Sequence, residues 1–292
     1  MWNLIVHGGA WDIPDELVDA HIKGVRKAIE IGADMLKRDC SAEEAVEAAI
    51  AYMEDDPAFD AGKGSFLNRD GEIELDAIMC HGTKMCFGSC MCVKTVKNPI
   101  KLARMLMSED EVSILAGRGA EEYARTHGLE IVSNDYFVVE RERRRFEELK
   151  ARKLHPAAFF HHGTVGCVAL DKDGNIVAGT STGGTPNKLP GRVGDSPVLG
   201  AGAFANRVAG ASATGYGEAI LRCLLTFRAC EAVERGKTPA RACKDALKFL
   251  ERNTALFAGL ILLRNDGATG FAYNTPRMAR AYLKRGKIVA EV

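Results

Sequence analysis

The chain has 292 residues, with 39 Lys+Arg against 39 Asp+Glu, 47% apolar and 27% charged, an ordinary globular composition. A formal net charge of zero removes the attraction that draws basic proteins onto nucleic acid or an anionic membrane surface. No apolar run approaches the roughly 20 residues of a bilayer span, and residues 1–6 lack the basic flank and long apolar core of a secretory signal, so a soluble, cytoplasmic protein is expected.

An apolar strand at residues 2–6 runs into what reads as a turn, His7-Gly8-Gly9-Ala10. Apolar residues at three- and four-residue steps from Leu17 to Leu36 mark an amphipathic helix. A second helix starts at Ser41, whose spacing to Glu44 forms a capping box, and ends before Pro57. Strand-like runs follow at 72–79 and 85–96, and alternation there points Cys90 and Cys92 to one face. Residues 99–128 read as mainly helical, with interruptions at Gly117 and Gly119. Mixed charges at helical spacing make 138–154 an exposed, solvated connector.

The composition then turns to Gly, Ala, Thr and Val. Strands are expected at 165–170, 175–180, 198–203 and 208–213, then a helix at 218–235 and another from Thr238-Pro239. Three short strands, at 260–264, 270–273 and 279–284, close the chain. Hairpin spacing at 165–180 argues against a purely parallel sheet, so two stacked sheets covered by helices fit better. Nine cysteines, an odd number without a C-x-x-C pair, read as reduced, buried thiols. Cys80, His81 and Cys86 form a weak metal-site candidate.

Chemistry-bearing residues are densest between Gly163 and Gly217. Thr164, Thr182 and Thr214 each sit beside glycine, and Arg192 and Asp195 lie three residues apart in a loop suited to holding a zwitterion. Gly179-Thr180-Ser181-Thr182-Gly183 matches a nucleophile elbow, but that mechanism needs a histidine after the serine and all seven histidines precede Ser181. Gly200-Ala201-Gly202 with Gly210 is a poor dinucleotide turn, because the glycine spacing is wrong and no acidic residue follows at the required distance. No histidine lies beyond Thr164 to activate a nucleophile there. A threonine freed at a chain N-terminus carries its own base, an α-amine titrating near 8. Thr164 would gain that amine by cleavage after Gly163, whose missing Cβ admits an attacking hydroxyl. Taken singly, Thr164 is an ordinary strand residue, Thr182 and Thr214 are turn residues, and Arg192 and Asp195 are a surface ion pair.

Taken together, Gly163-Thr164-Val165-Gly166, Thr180-Ser181-Thr182-Gly183-Gly184, the run at 187–197 and Ser212-Ala213-Thr214-Gly215-Tyr216-Gly217-Glu218 closely resemble the plant-type L-asparaginase / isoaspartyl aminopeptidase family of N-terminal nucleophile hydrolases. The resemblance includes Ile5-Val6-His7-Gly8-Gly9-Ala10, Phe59-Asp60-Ala61-Gly62, Glu74-Leu75-Asp76-Ala77 and Ala272-Tyr273-Asn274-Thr275-Pro276. It implies an α+β fold, a four-layer αββα sandwich forming a single catalytic domain over 1–292, that cuts itself into an α chain of 1–163 and a β chain of 164–292. Residues 135–162 would be the variable linker.

By the same resemblance Thr164 is the nucleophile, Thr182 tunes it, and Thr214 with the Gly215 N–H forms the oxyanion hole. Arg192, Val193, Gly194, Asp195, Thr214, Gly215, Tyr216 and Gly217 bind substrate, with Arg192 on an α-carboxylate and Asp195 on an α-ammonium. The implied substrates are the small molecules L-asparagine and β-aspartyl dipeptides. No cofactor is required, a structural Na⁺ would sit in the loop 53–63, and the assembly would be a dimer of αβ units. Three positions depart from the family pattern: Asp60 where Asn is usual, Trp11 where Gly is usual and His81 where Asp is common. The alternatives are a glycosylasparaginase-like amidase, in which Asp typically precedes the nucleophile, and a catalytically silent relative acting as a binding protein.

Overall fold

A computed structural model describes residues 1–152 and 163–292, so the expected linker at 135–162 lies partly outside the described residues. One 8-stranded sheet has the order β12-β11-β1-β5-β6-β2-β3-β4. Its strands are β1 (Asn3–Trp11), β2 (Leu75–His81), β3 (Cys86–Val93), β4 (Ile114–Ala116), β5 (Val165–Leu170), β6 (Ile176–Thr182), β11 (Arg277–Lys284) and β12 (Lys287–Glu291). A 4-stranded sheet, β10-β9-β8-β7, is built from β7 (Ala203–Ala205), β8 (Ala209–Gly215), β9 (Ala258–Arg264) and β10 (Thr269–Tyr273). All pairings are antiparallel except β3 with β4.

Strand alternation divides the apolar residues between two faces. Leu4 and Val6 of β1 join a core with α1 (Asp15–Lys37), α2 (Ala42–Asp55) and α3 (Pro99–Met107), through Val25, Ile29, Ile50 and Ile100. Ile5 faces the other way and meets Val168, Ile261 and Leu263 from both sheets. Ala211, Ala213, Leu260 and Leu262 of the smaller sheet pack on α6 (Gly217–Cys223), α7 (Leu225–Glu234) and α8 (Pro239–Thr254). No helix of the described residues is long and apolar enough to cross a membrane.

Several local expectations need correction. His7 to Ala10 is not a turn but the second half of β1, and its glycines are absorbed by a pairing irregularity against β11 between His7 and Ala10. The helical stretch at 99–128 is split by β4, and Gly117 opens α4 (Gly117–Thr126) instead of interrupting it. Residues 198–202 form turns, so the strand expected at 198–203 shrinks to β7. The helix expected at 218–235 is two, broken at Leu224 with φ 47°. A strand missing from the sequence reading, β12, edges the large sheet. The charged α5 (Glu140–Arg152) is not wholly solvated, since Glu142 is buried and held by Arg141 at 2.6 Å and Arg145 at 2.8 Å.

The cysteine reading needs one correction as well. Cys92 has φ 53° near the register slip of β2 against β3, so it breaks the alternation with buried Cys90 and stays half-buried. All nine thiols are free, six of them buried. Among the described residues no group of three or more His, Cys, Asp or Glu side chains is arranged to hold a metal, Cys80, His81 and Cys86 included.

Candidate active site

The site begins with a register. β5 lies between β1 and β6, with Val165 opposite Ser181, so Thr164 stands one step ahead of β5 facing Thr182. Side chains directly opposite on neighbouring strands are in contact, and the Thr164 hydroxyl donates to Thr182 Oγ1 at 2.9 Å. Thr182 Oγ1 also accepts the Gly184 N–H at 3.0 Å, and both threonines are buried.

β8 brings the third threonine from the smaller sheet. Its alternation sends Ala209, Ala211 and Ala213 toward the helices and leaves Ser212 and Thr214 for the large sheet. Ser212 Oγ meets His7 Nε2 at 2.8 Å and Thr180 Oγ1 at 2.7 Å, tying the sheets together beside the site. Burial lowers the His7 pKa to about 3, so its ring is neutral near pH 7. The buried Thr214 hydroxyl has no hydrogen-bond partner among the described residues. A buried hydroxyl left unpaired is costly, so Thr214 has a hydrogen bond still to give beside the pocket.

Arg192 and Asp195 are not the surface ion pair that they suggest when taken singly. Arg192 pairs with Glu218 at 2.9 Å. Asp195 is buried, and desolvation raises its pKa to about 7 against the opposing pull of the Arg192 guanidinium. Its Oδ2 has no partner among the described residues. Gly217 keeps the two charged groups accessible, because a Cβ there would lie 2.7 Å from Arg192 Nη2 and 2.9 Å from Asp195 Oδ1.

Thr164, Thr182, Arg192, Asp195, Gly215 and Gly217 line one pocket. Gly184, Thr185 and Ser196, which sequence reasoning missed, line it too. Thr214, Val193, Gly194 and Tyr216 adjoin lining residues without lining it themselves. Glu74 was also missed as an anchor: its carboxylate accepts the Gly191 N–H at 3.0 and 3.1 Å, and its carbonyl accepts Lys188 Nζ at 2.9 Å. Glu74 thereby fixes the loop carrying Arg192, and the only sequence signal was its place in Glu74-Leu75-Asp76-Ala77.

Competing readings fall away on geometry. Ser181 lies inside β6, buried, and its hydroxyl donates to Glu54 Oε1 at 2.6 Å, so it is no exposed elbow nucleophile. A roomier basic groove between α7 and α8 holds no nucleophile, and its Arg235, Lys237 and Arg241 are already paired with Glu231 and Asp245. His81 bonds the Lys84 N–H and faces Glu43, so its departure from the family pattern touches no site residue.

Two paired hydroxyls and two groups of opposite charge line one pocket on two packed sheets, with the Thr214 hydroxyl beside it, an arrangement suited to a hydrolytic enzyme. A family model described as Asparaginase matches residues 1–291. The chain is 40% identical to the isoaspartyl peptidase/L-asparaginase of Rattus norvegicus, over 99% of this chain and 88% of that protein. It is 38% identical to the protein of the same name from Xenopus laevis, over 96% and 92%. It is 39% identical to the plant-type L-asparaginase of Pyrococcus furiosus, over 98% and 97%. The chain belongs to the asparaginase family.

Proposed function

We propose that the protein is a self-processing threonine amidohydrolase that converts L-asparagine to L-aspartate and ammonia and cleaves β-aspartyl dipeptides. The observation that carries this reading is the Thr164–Thr182 hydroxyl pair one bond from Gly163, in a pocket shared with Arg192 and Asp195. The three apolar clusters support a four-layer αββα sandwich.

In maturation the Thr164 hydroxyl attacks the Gly163 carbonyl carbon, the peptide becomes an ester, and water hydrolyses it into chains 1–163 and 164–292. In turnover the neutral Thr164 amine accepts the hydroxyl proton as Oγ1 attacks the substrate side-chain carbonyl. The oxyanion takes hydrogen bonds from the Thr214 hydroxyl and the Gly215 N–H, where loss of one donor costs about 2.7–4 kcal/mol. Ammonia or an amino acid leaves with the amine's proton, and water, deprotonated by the same amine, frees L-aspartate from the β-aspartyl ester. Arg192 holds the substrate α-carboxylate and Asp195 its α-ammonium, both charge-assisted contacts. The flanking Val193, Gly194, Tyr216 and Gly217 shape that clamp.

The resemblance further implies a structural Na⁺ held by carbonyl oxygens of the loop 53–63, where the Pro57 carbonyl already accepts Arg141 Nη2 at 2.9 Å. Carbonyl oxygens are the donor type a hard cation takes. Exposed Leu199, Leu224 and Phe227 offer apolar surface for a dimer of αβ units. Nine free thiols suit the reducing cytoplasm.

The test is release of ammonia from L-asparagine and of aspartate from a β-aspartyl dipeptide, by the wild type and by Thr164→Ala. The wild type cuts itself and hydrolyses both substrates, whereas Thr164→Ala does neither. A Thr164→Ala protein that still releases ammonia would overturn the assignment.

A further inference from the structure

Asp60 stands in the segment between α2 and β2, against the bond to be cut. Its N–H donates to the Gly163 carbonyl at 3.4 Å, and its own carbonyl accepts the Gly183 N–H at 3.1 Å, next to Thr182. A Cβ on Gly163 would come within 2.5 Å of Asp60 Cβ. Asp60 Oδ1 accepts the Phe66 N–H at 3.1 Å, while the buried Oδ2 has no hydrogen-bond partner among the described residues. Asp60 and Gly163 line a second small pocket that shares no residue with the substrate pocket.

The charged and titratable groups facing Asp60 do not neutralise it. Glu142 on α5 is a like charge, already held by Arg141 and Arg145. Lys188 is an attracting cation for this carboxyl, but its Nζ is hydrogen-bonded to the Glu74 carbonyl. His21, on the pocket wall, is pushed toward its neutral form by burial. Among the described residues Asp60 forms no ion pair.

We propose that Asp60 is a positioning residue whose carboxyl pairs with the Thr164 α-amine once the Gly163–Thr164 bond is cut, moving the working range of hydrolysis to higher pH. The proposal rests on the self-processing reading. Cleavage consumes one water and yields a Gly163 carboxylate, a neutral Thr164 amine and one proton, which is released to solvent. Burial pushes the Asp60 carboxyl well above its usual range, which favours its protonated form in the uncut chain; a proton it carries passes to the new amine, leaving carboxylate beside ammonium. The carboxylate favours the ammonium, and an ammonium cannot take the hydroxyl proton. The amine therefore becomes a base at higher pH beside Asp60 than beside a neutral amide. The Gly163 carboxylate pulls the same way, equally in both proteins compared below.

The experiment compares self-cut wild type with self-cut Asp60→Asn, an isosteric change that keeps an oxygen for the Phe66 N–H. Intact mass is taken first, then kcat against pH. An opposite charge within 4–6 Å moves a titration by about one to three units, so the acid limb of kcat in Asp60→Asn lies at least about one unit lower. Overlapping limbs in two cut proteins overturn this proposal alone; an uncut wild type overturns the self-processing reading with it. A second measurement reads the amine directly: NMR titration of the ¹³C-methylated Thr164 amine in both cut proteins. A midpoint higher in the wild type than in Asp60→Asn is expected, and equal midpoints contradict the pair.

Discussion

A carboxyl that must ionise before it can hold an ammonium makes substrate binding depend on pH, and the proposed clamp puts Asp195 in that position. Its pKa of about 7 means that it is largely neutral at pH 6 and largely charged at pH 8. KM for L-asparagine is therefore expected to fall as pH rises from 6 to 8, a trend that Asp195→Asn removes while raising KM throughout. A KM flat across that range in the wild type contradicts the clamp. The stability of the free protein runs in the opposite sense, because the folded carboxyl keeps its proton to higher pH than the unfolded one and costs stability as pH rises from about 4 through 7. Thr164, Thr182, Thr214, Arg192 and Asp195 drew notice in the sequence as glycine-flanked hydroxyls and a two-signed loop, but only the resemblance of their motifs, taken together, gave them roles; the structure brings Thr164, Thr182, Arg192 and Asp195 to one pocket. The anchoring by Glu74 and the contact of Asp60 with Gly163 were not legible there, because they join positions more than a hundred residues apart.

At the scale of elements, local signals read best where the physics is local. The capping box at Ser41 is present: the Ser41 side chain accepts the Glu44 N–H, and Glu44 accepts the Ser41 N–H at 2.8 Å. Ser41→Ala removes two hydrogen bonds remote from the pocket, from the Glu44 N–H to the hydroxyl and from the hydroxyl to the Glu44 carboxylate, and is expected to cost about 1 kcal/mol of stability, seen as a lower urea midpoint with kcat unchanged. A midpoint equal to wild type would show that the cap does not contribute. Non-local pairing decided the elements that were misread. The glycines of His7-Gly8-Gly9-Ala10 signal a turn by composition, yet the pairing of His7 with β5 and β11 before them and of Ala10 and Trp11 with β11 after them carries the stretch through as strand. β12 is only five residues long and pairs with β11 alone, at the edge of the large sheet. The break at Leu224 has no Gly or Pro to announce it, and a residue there at φ 47° is sustained by the packing of α6 and α7.

At the scale of the whole molecule, β5 and β8 come from different sheets and bring Thr164 and Thr214 toward one site. The small residues Gly166, Ser212 and Thr180 let those sheets approach there: a Cβ on Gly166 would lie 2.0 Å from Ser212 Oγ and 2.3 Å from His7 Nε2. The class of fold was legible from hairpin spacing and paired helices, whereas the order of strands was not, since β1 sits beside β5 and β11 from the far end of the chain. Such an arrangement makes cutting at residue 163 compatible with a folded product, because β1 from the first chain is paired on both sides by strands of the second. The most direct test of self-activation is the intact mass of purified protein after incubation, with N-terminal sequencing of the smaller fragments. Two chains, one beginning Thr-Val-Gly-Cys, appearing together with asparagine hydrolysis, is the predicted result. A single uncut chain of 31.6 kDa that hydrolyses asparagine at full rate would contradict it.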